Sequence, residues 1–252
     1  MHSEKNLTIL NIGNTHVHVF DSLPDGSIVR RIVLATPDFM KTTAIWIENP
    51  RQTIAASVVP AVTEILRSSG VFVVSPKMTF PFSVRKLDLS TVGADRLANA
   101  AQLTDGKLPA VCIDFGTAVT FEVVTEDREF AGGAIMPGRM LLRRSLNDYT
   151  AQLPLIGITD LIPAVPGSNT VDAMLIGTDL AAVGAVREIL VSLEKLSRQE
   201  PFAGSPAEET VISLWNIWLW KTGKTILHYA GSGKSGSAIT DARQSMRDQN
   251  GT

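Results

Sequence analysis

The sequence predicts an α/β protein built from two similar halves with a cleft between them. Three observations carry that expectation. LTILNIGNTHVHVFD (7–21) and AVCIDFGTAVTFEVV (110–124) share one pattern: an apolar strand, an Asx-x-Gly turn and a second strand. Laid on each other, Asn11 matches Asp114, Gly13 matches Gly116 and Asn14 matches Thr117. Strand-like runs also alternate with helix-like runs along the chain, the pattern of α/β architecture. The expected halves are 1–108 and 109–252, and a cleft between two such halves is the default place for function.

Taken in order, LTILNI, HVHVFD, SIVRRIVLA and TIAASVV read as four early strands, separated by turn signals such as Pro24-Asp25-Gly26. VTEILRSS (62–69) reads as a short helix and VFVVS (71–75) as a strand. In GADRLANAAQL (93–103), Leu97, Ala100, Ala101 and Leu103 suit a helix packed on a sheet. The pattern then restarts. AVCID (110–114) and AVTFEVV (118–124) are strands joined by FGT, and Glu126-Asp127-Arg128 turns the chain into a third strand, FAGGAIMP. A helix follows over about 138–151. A long one runs from Asn169 to about Leu196, capped by Asn169 or Ser168. Its apolar stripe is Val171, Met174, Leu175, Ala182, Val186, Ile189 and Leu190, with Met174 read as core.

Composition narrows the function class. The 252 residues are 44% hydrophobic and 19% charged, enough for a sizeable core. A formal net charge of −2 argues against a nucleic-acid binder, whose footprint is basic. The single cysteine, Cys112, cannot form an internal disulfide, which fits a reducing cytoplasm, and it reads as a buried strand residue. MHSEKN has no signal-peptide pattern. VISLWNIWLW (211–220), the densest apolar stretch, is too short to span a membrane.

The two turns hold the chemistry. Each Gly lets the backbone approach a ligand with no Cβ in the way. Thr15 and Thr117 add hydroxyls, and the turn amides add donors suited to phosphate oxygens. A carboxylate at a strand end holds a cation directly or through water, and magnesium keeps several of its waters.

The ordered series GADR, DFGTA-x-T, GG-x-I-x-PG, TAQLP and NT-x-x-A-M-x-x-G resembles type III pantothenate kinase over roughly 7–195. The paired hairpins resemble the nucleotide-binding fold of actin, hexokinase and Hsp70, with two ribonuclease H-like halves. The resemblance implies transfer of the ATP γ-phosphate to the primary hydroxyl of pantothenate, the first step of coenzyme A synthesis. It implies ATP with Mg2+, a monovalent cation (K+ or NH4+), a homodimer and a cytoplasmic enzyme, with no nucleic acid or membrane partner. Asp95 takes the place of the family's catalytic base, and Gly93, Ala94 and Arg96 that of its pantothenate loop. Thr170 matches a pantothenate contact made across the dimer interface. The first phosphate loop matches Asn11, Ile12, Gly13, Asn14, Thr15, His16, Val17 and His18. Thr117 matches an ATP contact, and Asp114 the acid that binds the monovalent cation. Simpler readings stand beside these. Asp95 would equally cap its helix, Arg96 would be a surface charge, Asp114 a turn acid and Thr170 a first-turn helix residue.

Three departures from the family bear on function. Asn11 stands where the family has Asp, an acid that helps hold magnesium and its waters. A hydrogen bond to a charged group contributes about 1.5–3 kcal/mol, so the expected loss is on the order of 10- to 100-fold in rate. Lys86 stands where a tyrosine lines the family's acceptor pocket. The C-terminal quarter lacks the expected strand ending in Thr-Gly-Gly that supports adenosine. TILHYAGSG, with Gly231-Ser232-Gly233, is the nearest substitute, and the last ~20 residues read as poorly ordered. Trp215, Trp218 and Trp220 cluster there without a physical account. GSGKS is no P-loop, because the first Gly of G-x-x-x-x-G-K-[ST] would fall on His228. His2, His16, His18 and His228 show no metal spacing. These departures leave two alternatives: a catalytically weak or inactive homologue acting as a ligand-binding or regulatory protein, or a related small-molecule kinase.

Overall fold

The computed structural model describes residues 7–23, 26–159, 162–197, 215–219 and 224–229; for 194–197 and the last two segments the backbone alone is described. The chain divides into two compact units, Met1–Gln102 and Leu103–Thr252. Each holds one five-stranded sheet.

In the first unit, β1 (Leu7–Ile12), β2 (His16–Ser22) and β3 (Ile28–Ala35) form an antiparallel meander. Alternation sets its register: Leu10 lies opposite Val19 and Ile12 opposite Val17, and all four are buried on one face. The chain then forms α1 (Thr36–Trp46), which the sequence analysis passed over. It returns as β4 (Thr53–Ser57), parallel to β1. α2 (Pro60–Ser68) follows, with proline in its first turn, where no N–H is needed. β5 (Phe72–Val73) is shorter than the VFVVS run and completes the order β3-β2-β1-β4-β5. Phe39 of α1 and Val62 and Leu66 of α2 join Leu10, Ile12, Val17 and Val19 in one core. An irregular segment, 74–88, leads to a single 3-10 turn, Leu89–Thr91, and then to α3 (Ala94–Leu103).

The second unit opens in the same way. β6 (Ala110–Phe115), β7 (Ala118–Val124) and β8 (Phe130–Pro137) form an antiparallel meander, followed by α4 (Arg139–Asp148). Arg128 takes a left-handed φ of 58° in the β7–β8 turn and donates from Nη2 to the Thr104 carbonyl at 2.8 Å. Cys112 is buried in β6, as expected.

α5 (Thr170–Ser197) starts where the sequence places it. Asn169 is the cap: its side-chain oxygen accepts from the Asp172 N–H at 2.9 Å, an interaction of about 1 kcal/mol. Met174 is buried, whereas Val171 is 41% exposed and lies off the buried stripe. The later part of α5, with Val186, Ile189, Leu190 and Leu193, packs on Ile113, Val119 and Phe121 of the sheet.

The two sheets diverge at the strand beside the central one. β9 (Trp215–Leu219) and β10 (Lys224–Tyr229) pair antiparallel, and β10 pairs antiparallel with β6, giving the order β8-β7-β6-β10-β9. TILHY is thus a strand. Trp220, the Gly231-Ser232-Gly233 turn and the polar tail lie outside the described residues. Among the described residues no helix is long and apolar enough to cross a membrane.

Candidate functional site

The first turn joins β1 to β2. The Gly13 N–H donates to the His16 carbonyl at 2.9 Å, and a Cβ on Gly13 would sit 3.2 Å from that oxygen. The start of α1 holds the turn from behind. Thr36 N–H donates to the Thr15 carbonyl at 3.0 Å, and the buried Thr36 hydroxyl donates to the Gly13 carbonyl at 2.7 Å. Asn14, Thr15 and His16 are exposed, Val17 and Ile12 are buried, and Asn11 and His18 are half-buried. Asn11 lies directly opposite His18 in the β1–β2 register, and His18 stacks on Phe20 with ring centroids 6.2 Å apart.

The GADR segment meets the same end of the sheet. The Val58 N–H, just past β4, donates to the Ile12 carbonyl at 3.0 Å. A Cβ on Gly93 would come within 3.3 Å of Val58 Cγ1 and 2.6 Å of Asp95 Oδ1, so an added side chain here would displace the Asp95 carboxylate. The carboxyl ends of the parallel pair β1–β4, the usual location of ligands in α/β sheets, therefore carry both the first turn and the start of α3. Asp95 lies in the first turn of α3 and accepts the Arg96 N–H on Oδ1 at 2.8 Å. It thus makes the capping-type bond of the simpler reading, on one oxygen. Ala94 is buried; Gly93, Asp95 and Arg96 are half-buried. Lys86 is exposed on the segment leading to this helix, where the Asp88 carboxylate accepts from the Ser90 N–H and hydroxyl. Those two bonds, side chain first, hold the Asp88 carboxyl below its ordinary range.

The second turn repeats the geometry in one residue less. The Gly116 N–H donates to the Ala118 carbonyl at 3.1 Å. The Gly138 N–H, at the cap of α4, donates to the Thr117 carbonyl at 2.9 Å, as Thr36 does to Thr15. The approach is close: a Cβ on Gly138 would lie 2.4 Å from the Gly116 oxygen and 2.7 Å from the Thr117 oxygen. Matched by these bonds, Thr117 corresponds to Thr15, whereas counting from the glycine matches it to Asn14. Asp114 is half-buried near the end of β6, opposite Thr120 on β7 and Lys224 on β10 in register.

A buried ion network supports the second turn, and the sequence analysis did not find it. Asp179 of α5, 2% exposed, accepts from Arg139 Nε on Oδ1 and Arg139 Nη2 on Oδ2 at 2.8 and 2.9 Å. Arg143, fully buried, donates from Nη2 to Asp179 Oδ1 at 2.8 Å and from Nη1 to the Gly157 carbonyl. Arg139 Nη2 also donates to the Thr159 carbonyl at 2.6 Å. Burial alone would raise the Asp179 pKa, but the two guanidiniums outweigh it and hold the carboxyl below its ordinary range. Two arginines one helical turn apart, with a lone acid in the apolar run LIGTDLAAVGAV, were the available signal.

Thr170 is the first residue of α5 and exposed. It rims an apolar groove between α4 and α5 lined by Leu142, Leu146, Leu153 and Met174.

Among the described residues no cluster of three or more His, Cys, Asp or Glu side chains is placed to hold a metal. The turns offer one carboxylate, Asp114, and one amide, Asn11. A magnesium ion that keeps most of its waters needs no more than one or two protein oxygens, so the oxygen donor at either turn, taken by itself, is compatible with one.

A family model described as type III pantothenate kinase matches residues 8–192. The chain is 37% identical over 99 residues to a type III pantothenate kinase of Chlorobium chlorochromatii, covering 38% of this chain and 37% of that protein. It is 39% identical over 111 residues to one of Bacillus cytotoxicus, covering 44% and 42%. The matches thus span about two fifths of the length of these curated relatives. A Campylobacter jejuni crystal structure described as a conserved Baf family transcriptional activator aligns over 73% of this chain and 79% of its own. Its TM-score is 0.51 at 20% identity, a likeness of fold alone.

Proposed function

The chain belongs to the type III pantothenate kinase family, and on that premise we propose that it phosphorylates pantothenate to 4'-phosphopantothenate with ATP, the first step of coenzyme A biosynthesis. The observation that carries this reading is the position of Asp95. It lies in the first turn of a helix whose glycine cap is packed at the carboxyl ends of β1 and β4, beside the first turn.

In this reading the pantothenate hydroxyl oxygen attacks the γ-phosphorus, the bond to the β-phosphate bridging oxygen breaks, and ADP leaves. The hydroxyl proton passes to the Asp95 carboxylate, whose Oδ1 is already fixed by the Arg96 N–H. The Arg96 guanidinium, a planar fork of donors, suits the pantothenate carboxylate, with the Gly93 and Ala94 backbone shaping its pocket. The segment from Asn11 to His18 and Thr117 meet the donor phosphates. Asn11 would meet the waters of Mg2+ carried by ATP, an ion that would supply charge neutralisation at those phosphates. Asp114 would hold a monovalent cation, K+ or NH4+, which would supply positive charge beside the phosphates.

The duplicated architecture belongs to the same proposal: two ribonuclease H-like halves, 1–108 and 109–252. Its support is the shared strand–turn–strand–strand–helix order and the matching bonds at the two turns. So does a homodimer in which Thr170 serves the partner's acceptor pocket. Its support is α5, which exposes Val171, Leu180 and Val183 at 41%, 48% and 55%.

The test is ADP release by the purified protein with ATP, magnesium and potassium, with and without pantothenate. Turnover should require pantothenate, and Asp95→Asn should lower it by about 10²–10⁴-fold, the usual contribution of a general base. Unchanged turnover in that variant would remove Asp95 from the mechanism. A monomer in sedimentation at micromolar concentration would remove the Thr170 role.

A further inference from the structure

The buried network in the second unit connects to the turn that the proposed function gives to the donor phosphates. Arg139 is the residue after Gly138, and Gly138 is the glycine on which the Gly116 and Thr117 carbonyls rest, with its N–H on the Thr117 oxygen at 2.9 Å. The orientation of the first turn of α4 therefore decides where that loop lies. That turn is set from α5. Asp179 receives Arg139 through two bonds, at 2.8 and 2.9 Å, the paired geometry that fixes direction as well as distance. Asp179 is itself fixed by Arg143 at 2.8 Å. Arg143 is anchored in turn on the Thr178 hydroxyl at 3.3 Å and on the Gly157 carbonyl.

We infer that Asp179 is a positioning residue for the nucleotide-donor loop: through Arg139 and Gly138 it sets the place of the Gly116–Thr117 backbone. The inference rests on the reading of that loop as a nucleotide contact. Arg139 is about one third exposed whereas Arg143 and Asp179 are buried, so a change at Arg139 leaves the Arg143–Asp179 bond on Oδ1 in place. Asp179 acts at a distance in this account and touches no substrate.

The experiment uses the full chain and follows ADP binding by calorimetry beside steady-state kinetics. Arg139→Gln is expected to weaken ADP binding and raise KM for ATP about five- to tenfold, with KM for pantothenate within twofold; the melting temperature falls as well, because Asp179 Oδ2 loses its donor, so binding is read on protein shown to be folded. Asp179→Asn should weaken ADP binding in the same direction, and Arg139→Lys should recover part of the loss. ADP affinity unchanged in folded Arg139→Gln would overturn the inference. So would weakening in Arg139→Gln but not in folded Asp179→Asn, since that would make Arg139 a direct phosphate ligand. Should Asp179→Asn fail to fold, hydrogen exchange at the Gly116 and Gly138 amides in folded Arg139→Gln decides: faster exchange there together with weaker ADP binding supports the inference, and weaker binding with unchanged exchange overturns it. Because ADP binding needs no acceptor, wild-type protein that binds ADP but turns over no pantothenate defeats the proposed function and leaves this inference to be decided by the variants. Wild-type protein that binds no ADP overturns the inference itself.

Discussion

The first and second turns are alike in outline and unlike in what holds them. Each follows an apolar strand, each donates its glycine N–H back across the hairpin, and each rests its last carbonyl on the N–H at the start of the next helix. Behind the first turn that helix adds a single hydroxyl, Thr36, and the strand end carries a neutral amide, Asn11. Behind the second lie a glycine packed against two carbonyls, a strand-end carboxylate and a buried ion network. The difference teaches that one backbone device can be fixed by one light polar contact or by a charged foundation reaching to another helix.

The largest expected contrast is in acid. Asp179 is held below its ordinary pKa, so its contribution is fully present above the unfolded carboxylate value of about 3.9. It is lost as pH falls through the lower folded value. Removing one charge from a buried pair costs about 3–5 kcal/mol. Hydrogen exchange between pH 5 and 2 should show the amides of α4 and α5 losing protection before those of β1 and β2; the reverse order would dissolve the contrast. Next comes the missing acid. Asn11→Asp should raise pantothenate-dependent turnover about 10- to 100-fold, equivalent to roughly 1.5–3 kcal/mol. An unchanged rate would mean that the first turn works without a charge. The third test is steric. Gly138→Ala places a Cβ 2.4 Å from a carbonyl oxygen, whereas Gly13→Ala places one at 3.2 Å. Overpacking costs about 1–3 kcal/mol, so urea denaturation should separate the two variants, with the Gly13 change the milder. Smallest is Thr36→Val, which removes the hydroxyl on the Gly13 carbonyl. A loss of about 0.5–1.5 kcal/mol is expected, read from the same denaturation curves.

Much of the fold was legible because alternation and turn chemistry agree. The meanders β1–β3 and β6–β8 appear in the sequence as apolar alternation broken by Gly-Asn-Thr and Gly-Thr, and α5 as an apolar stripe behind Ser-Asn. α1 was not legible. Its buried residues are Thr36, Phe39 and Thr43, two of them polar, and Thr42 departs from helical dihedrals at φ −123°, ψ 18°. A helix that buries threonines leaves no apolar stripe to read. The candidate site was legible as two turns and the GADR segment, because glycines and acids at strand and helix ends leave local marks. The network of Arg139, Arg143 and Asp179 was not, because its members meet across 36 to 40 residues of chain. The partner of β6 is β10, which runs antiparallel to it. Pairing across more than a hundred residues has no local signature.

That last pairing also sets a timetable. The strands of the first sheet are all encoded by residue 73, so a chain emerging from the ribosome can close that sheet early. In the second sheet Asp114 finds its opposite number only at Lys224, which at about 5–20 residues per second arrives on the order of ten seconds later. For that interval β6 offers a bare edge of amides and carbonyls to whatever strand is nearest. Until then β6 is a place where one newborn copy of this chain can pair with another.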